Sequence, residues 1–273
     1  YTDYGVGFYY WVKAAAGSSG ERPSGFSAGD LGWRALPPPT NLSASDGQYT
    51  EHVRISWTLS PGGSWYRVYR GTSASPKFAG AIGNWSQNAT SYDDTTAAAG
   101  QDYYYWVKVA MDAAGTHASL VSNMDSGWRA LTGPDATASD GLYVDRVSVS
   151  WFKPPGSPYY FRVYRNTKSN PASATPVSSW QTGSSFNDTT ATPGQTYYYW
   201  VSAAVDSSGT RASAFGRSNS GWRAKDCNNN GVPDLPVGLI CPWRGSLGTI
   251  PDKWQLCDGT NGTPNLFGVY PRV

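Results

Sequence analysis

The stretch DYYYWVKVAM at 102–111, with its sequel SGWRAL at 126–131, decides how this chain folds. Alternation along a strand divides its side chains between two faces. Tyr103, Tyr105, Val107 and Val109 fall on one face; Tyr104, Trp106 and Lys108 fall on the other. The unit occurs three times. FYYWVKAA begins at Phe8 and YYYWVSAA at Tyr197, and each copy is followed by GWRA, at Gly32, Gly127 and Gly221. The repeat speaks of architecture and assembly more than of chemistry.

Working outward, the period is 94 or 95 residues. SASDG at 43–47 returns as TASDG at 137–141, Trp57 as Trp151, YRVYR at 66–70 as FRVYR at 161–165, and DDTTA at 93–97 as NDTTA at 187–191. That period is too long for a solenoid and suits a β-sandwich of about 100 residues with about seven strands. In the second copy the pattern predicts strands at 40–45, 53–59, 66–71, 79–85, 91–95, 102–111 and 116–122. Val53, Ile55, Trp57, Tyr66 and Val68 point inward, and Asp46-Gly47 and Pro61-Gly62-Gly63 make turns. The third copy follows the same plan from Asp135 to Ala224.

Composition agrees with an all-β chain. Of 273 residues, 15% are charged and 15% aromatic, and Glu occurs only at Glu21 and Glu51. Helices draw on Glu, Lys and Leu for their exposed turns. The net charge of +2 and the lack of a basic run give no electrostatic footprint for nucleic acid. No apolar run approaches the ~20 residues of a membrane span, and no signal-like segment is visible. The chain begins with Tyr, so a removed leader or a longer product is expected. The three cysteines, Cys227, Cys241 and Cys257, fall after the repeats, which therefore need no disulfide. An odd count leaves at least one thiol free or paired between chains.

The strand-B tryptophans Trp57 and Trp151, the YRVYR and FRVYR strands, and PGQTYYYWVSAA at 193–204 together resemble fibronectin type III domains. The resemblance covers about 37–224. It implies tandem β-sandwiches, 37–131 and 132–225, with Tyr103 and Tyr197 closing tyrosine corners. That fold carries many unrelated functions.

Residues 1–36 hold only the last two strands of a further copy. A two-stranded ribbon cannot bury an apolar face alone. Either a longer parent supplies the rest, or another chain completes the sandwich and builds a head-to-tail filament without exposed strand edges. On the outward face, Tyr104 and Trp106 are expected beside Arg67 and Tyr69, and Tyr198 and Trp200 beside Arg162 and Tyr164. This is either a stabilising cation–π ladder or an exposed platform for saccharide or for another subunit. Trp33, Trp128 and Trp222 close the copies, packed within their own domains or shared across stiff junctions; Pro37-Pro38-Pro39 is stiff as well.

DCNNNGVPD at 226–234 sets Asp226, Asn228 and Asn230 at loop positions 1, 3 and 5, the Val232 carbonyl at 7 and Asp234 at 9, with Gly231 at the sharp turn. Oxygen ligands so spaced wrap a hard cation, so 226–236 is a candidate Ca²⁺ loop. Val237 stands where the bidentate acid is usual, which predicts weak affinity. The run resembles dockerin and thrombospondin-type calcium loops. Such loops often carry a second Cys; Cys241 is the nearest here, which implies a Cys227–Cys241 bridge and leaves Cys257 alone. Finally, 238–270, with IPDKWQLCDGTNGTPNL, resembles the phage tail collar domain. Pro242, Trp243, Gly245, Trp254 and Leu256-Cys257-Asp258-Gly259 carry the match, which assigns 237–273 to a collar-like segment. Asn265 departs from the usual Asp.

His52 and His117 lack partners at zinc-ligand spacing, and neither a GxSxG elbow nor a phosphate-cradling loop occurs. No enzyme activity is expected. Asn41, Asn84, Asn88, Asn187 and Asn261 head sequons. The sequence thus reads as an extracellular or virion-surface fibre protein, assembled with copies of itself. The alternatives are a phage tail-fibre adhesin and a glycan-binding module.

Overall fold

The computed structural model describes residues 3–153, 159–226 and 231. Within them the chain is almost wholly β. The amino-terminal copy is a ribbon of β1 (Gly7–Tyr10) and β2 (Asp30–Trp33), antiparallel, with Phe8 opposite Gly32. The second copy comprises β3 (Thr40–Ala44), β4 (Val53–Thr58), β5 (Trp65–Gly71), β6 (Gly80–Gln87), β7 (Ser91–Asp94), β8 (Asp102–Ala110) and β9 (Asp125–Trp128). They form a three-stranded sheet, β3-β4-β7, facing a four-stranded one, β6-β5-β8-β9. The third copy repeats this with β10 (Ala136–Ala138), β11 (Val147–Trp151), β12 (Tyr160–Asn166), β13 (Thr175–Pro176), β14 (Ser185–Asp188), β15 (Thr196–Ala204) and β16 (Asn219–Trp222). The tandem-sandwich expectation holds.

Alternation builds each core. Val53, Ile55 and Trp57 of β4 and Tyr66 and Val68 of β5 are buried and meet Tyr105, Val107 and Val109 of β8. Each buried aliphatic or aromatic side chain contributes about 1.5–3 kcal/mol of hydrophobic stabilisation. The linkers join in. Leu36 packs in the second copy's core and Leu131 in the third's, both 3% exposed. Each sandwich therefore takes a core residue from the end of its predecessor's GWRAL run.

A buried polar cluster crosses each sandwich. Arg70 donates to Asp94 at 2.7 Å, Thr96 donates through hydroxyl and amide, and the Tyr105 hydroxyl donates at 3.0 Å. In the third copy Arg165, Thr190 and Tyr199 surround Asp188 in the same way. Burial pushes these carboxyls up, but the bonds from Thr and Arg outweigh it, and both are held below the ordinary carboxylate value. Burial, with the neighbouring carboxylate, raises Tyr105 and Tyr199 far above the usual phenol range. The expected corner tyrosines also reach back: Tyr103 accepts from the Ala98 amide at 3.4 Å, and Tyr197 donates to Thr192 Oγ1 at 3.2 Å.

Two expectations are corrected. Residues 116–122 form no regular strand. Three residues of this segment span two of β8, so a simple ladder cannot run. Serine hydroxyls take its place: Ser119 gives its amide to the Val109 carbonyl while its Oγ accepts from the Val109 amide, and Ser122 does the same with Val107. Ser24 and Ser27 bind Ala14 and Val12 likewise, as does Ser213 with Ala203. The third copy also departs from the plan: β13 has two residues where β6 has eight. Pro176 stands in β13 where β6 has Ala81, and proline cannot donate to a ladder.

Candidate functional site

Both junctions between copies are built the same way. The turn after β15 presents Arg211 in a left-handed conformation, φ 54°. Its guanidinium lies 4.6 Å from the centre of the Trp128 ring, donates to the Gly100 carbonyl at 2.9 Å and pairs with Asp102 at 2.7 Å. Trp128 rests its other side on its own β3–β4 turn. A Cβ on Gly47, φ +64°, would come within 2.1 Å of the indole. Both readings of that tryptophan therefore hold: it packs at home and across the junction. The preceding junction uses His117 at the equivalent position, φ 52°. Its ring stacks on Trp33 at 4.4 Å and 5°, and Nδ1 lies 3.0 Å from the Gly5 carbonyl. Gly5 and Gly7 are the counterparts of Gly100 and Asp102. Where the preceding copy offers an acid, the key is arginine; where it offers glycine, the key is histidine. The Tyr159 hydroxyl also donates to the Ala99 carbonyl across the second junction, at 3.1 Å.

The ribbon is the second feature. Phe8, Tyr10 and Val12 are 44%, 60% and 71% exposed, whereas Tyr105 and Val107, the counterparts of Tyr10 and Val12, are fully buried. Among the described residues no three-stranded sheet faces β1 and β2. The ribbon nonetheless keeps the register of β8 on β9 and β15 on β16.

The outward aromatic face, read from sequence as a stabilising ladder or an exposed platform, is covered at its tryptophans. Trp106 and Trp200 are 2% and 4% exposed and present no open ring. In the third copy, Phe215 packs on Tyr164 at 4.8 Å and on Trp200 at 6.3 Å. Tyr198 lies 6.4 Å from Trp200. The cations also avoid the indoles assigned to them. Lys108 sits over Tyr69, and Arg67 donates to the Gly83 carbonyl. Arg162 lies over Tyr164 and Trp180. Tyr104 is half-buried on the same face. The two indoles of this face are thus covered by neighbouring side chains.

The remaining candidates fall mostly elsewhere. Asn228, Asn230, Val232 and Asp234, the cysteines Cys227, Cys241 and Cys257, and the collar-like segment lie outside the described residues. Asp226 and Gly231 are described, and Asp226 Oδ2 accepts from the Gly231 amide at 2.9 Å. The histidines hold structural posts: His52 stacks on Tyr49, and His117 keys a junction. Among the described residues no group of acids, histidines and cysteines could hold a metal, and no helix is long and apolar enough to cross a membrane.

No family profile matches the chain, and no curated protein does. Solved structures do. A two-domain fibronectin type III segment of chicken tenascin is 18% identical, covering 67% of this chain and 98% of that one, with TM-score 0.50. A Fn3-like protein from Clostridium thermocellum is 28% identical over 36% of this chain and 96% of that one, with TM-score 0.31. The tenascin likeness shows the fold: two fibronectin type III-like sandwiches in tandem.

Proposed function

We propose that this chain is a structural module of an extracellular filament or fibre. It forms a stiffened row of sandwiches and joins its neighbour through strand complementation or packing at the open ribbon. The duplicated junction is the observation that carries this reading. A residue held in a left-handed turn closes on the preceding tryptophan and on a carbonyl at both junctions, and a fibre needs such fixed inter-repeat geometry. The uncovered ribbon adds a place to join. A calcium loop at 226–234 belongs to the same proposal; the acceptance of the Gly231 amide by Asp226 Oδ2 supports it. Electron microscopy of the purified protein tests the fibre reading: straight rods with a fixed angle between sandwiches are expected. Freely bending monomers would overturn it, and a threefold bundle would favour the tail-fibre adhesin that the collar resemblance implies.

A further inference from the structure

The ribbon lacks four contacts that its counterparts make, and together they describe what covers it. The Tyr10 hydroxyl has no hydrogen-bond partner among the described residues, whereas Tyr105 and Tyr199 each donate to a buried aspartate. Among the described residues no cation lies over Phe8, whereas Arg70 and Arg165 lie 4.4 and 4.3 Å from the ring centres of Tyr103 and Tyr197. Asp30 accepts only from its neighbour Leu31 among the described residues, whereas Asp125 and Asn219 also bind the first strand, through the Ala44 and Ala138 amides. Gly32 is the most telling. A Cβ on Gly127 would meet the Ser45 carbonyl at 2.7 Å and Ala44 at 2.9 Å, and one on Gly221 would meet Ala138 at 2.7 Å. At Gly32 the nearest atoms belong only to the Tyr10 ring, at 3.2 Å. That glycine is matched to a strand lying directly behind it.

Counting decides the source. The described residues contain three ribbons of this kind and two three-stranded sheets. Both sheets are engaged, with Asp94 and Asp188 at 0% and 1% exposure. Exchange among copies of residues 3–226 would therefore always leave one ribbon bare. We infer that the ribbon is covered by the front half of a repeat of the same class, supplied by polypeptide outside residues 3–226. This segment places an aspartate on Tyr10, an arginine on Phe8 and a first-strand amide on Asp30. The inference rests on the fibre reading and names the joining partner.

The probe is a separate fragment spanning residues 37–101, the front half of the second copy, added to the full chain. Native mass spectrometry should show a one-to-one complex, and amide exchange at 8–14 should slow at least tenfold. Gly32→Val should abolish binding while leaving the unfolding of the two complete sandwiches unchanged. If the fragment is insoluble, fusing it ahead of Tyr1 should give the same protection, again lost in Gly32→Val. Absence of protection in both formats would overturn the inference, as would binding indifferent to Gly32→Val. Polymerisation of the chain alone with amides 8–14 protected would do so too, because a second copy would then be the occupant. Rods in the microscope without fragment binding would sink this inference and leave the fibre reading standing.

Discussion

At the scale of single residues, Asp94 and Asp188 govern each sandwich. The sequence shows YRVYR and DDTTA as repeat markers, but not as partners: Arg70 and Asp94 are 24 residues apart and meet only across the folded layers. Replacing Arg70 with Met strands a buried carboxylate and should cost about 3–5 kcal/mol. Tyr105→Phe removes one donor from it and should cost about 1–3 kcal/mol. Urea titration of each variant checks both values. The pH dependence follows from the lowered carboxyls. Their contribution is complete above the unfolded value of 3.8 and is lost as the pH falls through the lower folded values, because the unfolded chain takes up the protons first. Stability should therefore drop as the pH falls below the unfolded value of 3.8, and less so in an Asp94→Asn, Asp188→Asn double variant.

At the scale of elements, the central strands were legible because period-two burial is strong: β4 alternates buried and exposed along its whole length. The closing segment was not. The sequence reads there as a regular strand, and only the structure shows serine hydroxyls holding the β8 amides in place of a ladder. Ser119→Ala and Ser122→Ala should each leave a buried β8 amide without an acceptor, at about 1–3 kcal/mol apiece. Hydrogen exchange should accelerate at Val109 and Val107 respectively, and unchanged exchange there would refute this account of the segment. The outward aromatic face was open between two readings in the sequence. Alternation places Trp106 and Trp200 away from the core, and it cannot show that a following segment, such as the one carrying Phe215, returns over them. Trp200→Ala should consequently behave as a core truncation, losing about 3–5 kcal/mol.

At the scale of the whole molecule, the repeat period and the GWR endings marked the copies, and a tryptophan shared across junctions was one of two readings open in the sequence. The identity of its partners was not legible, since positions 117 and 211 carry different residues and act through a left-handed turn. Arg211→Ala removes a cation–π contact of about 0.5–2 kcal/mol and a partly exposed ion pair of about 0.2–1 kcal/mol. The sandwiches themselves should keep their stability while the angle between them loosens. Small-angle scattering should report a broader distribution of lengths, and calorimetry an unchanged main transition.

Leu36 and Leu131 give the row a direction. Each stopper is encoded ahead of the sandwich it closes, so on the ribosome every sandwich emerges with its plug already made. Trimming the chain to begin at Pro37 removes that plug from the next sandwich, while trimming after Ala130 spares it. The order of translation is thereby also the order in which the row is sealed.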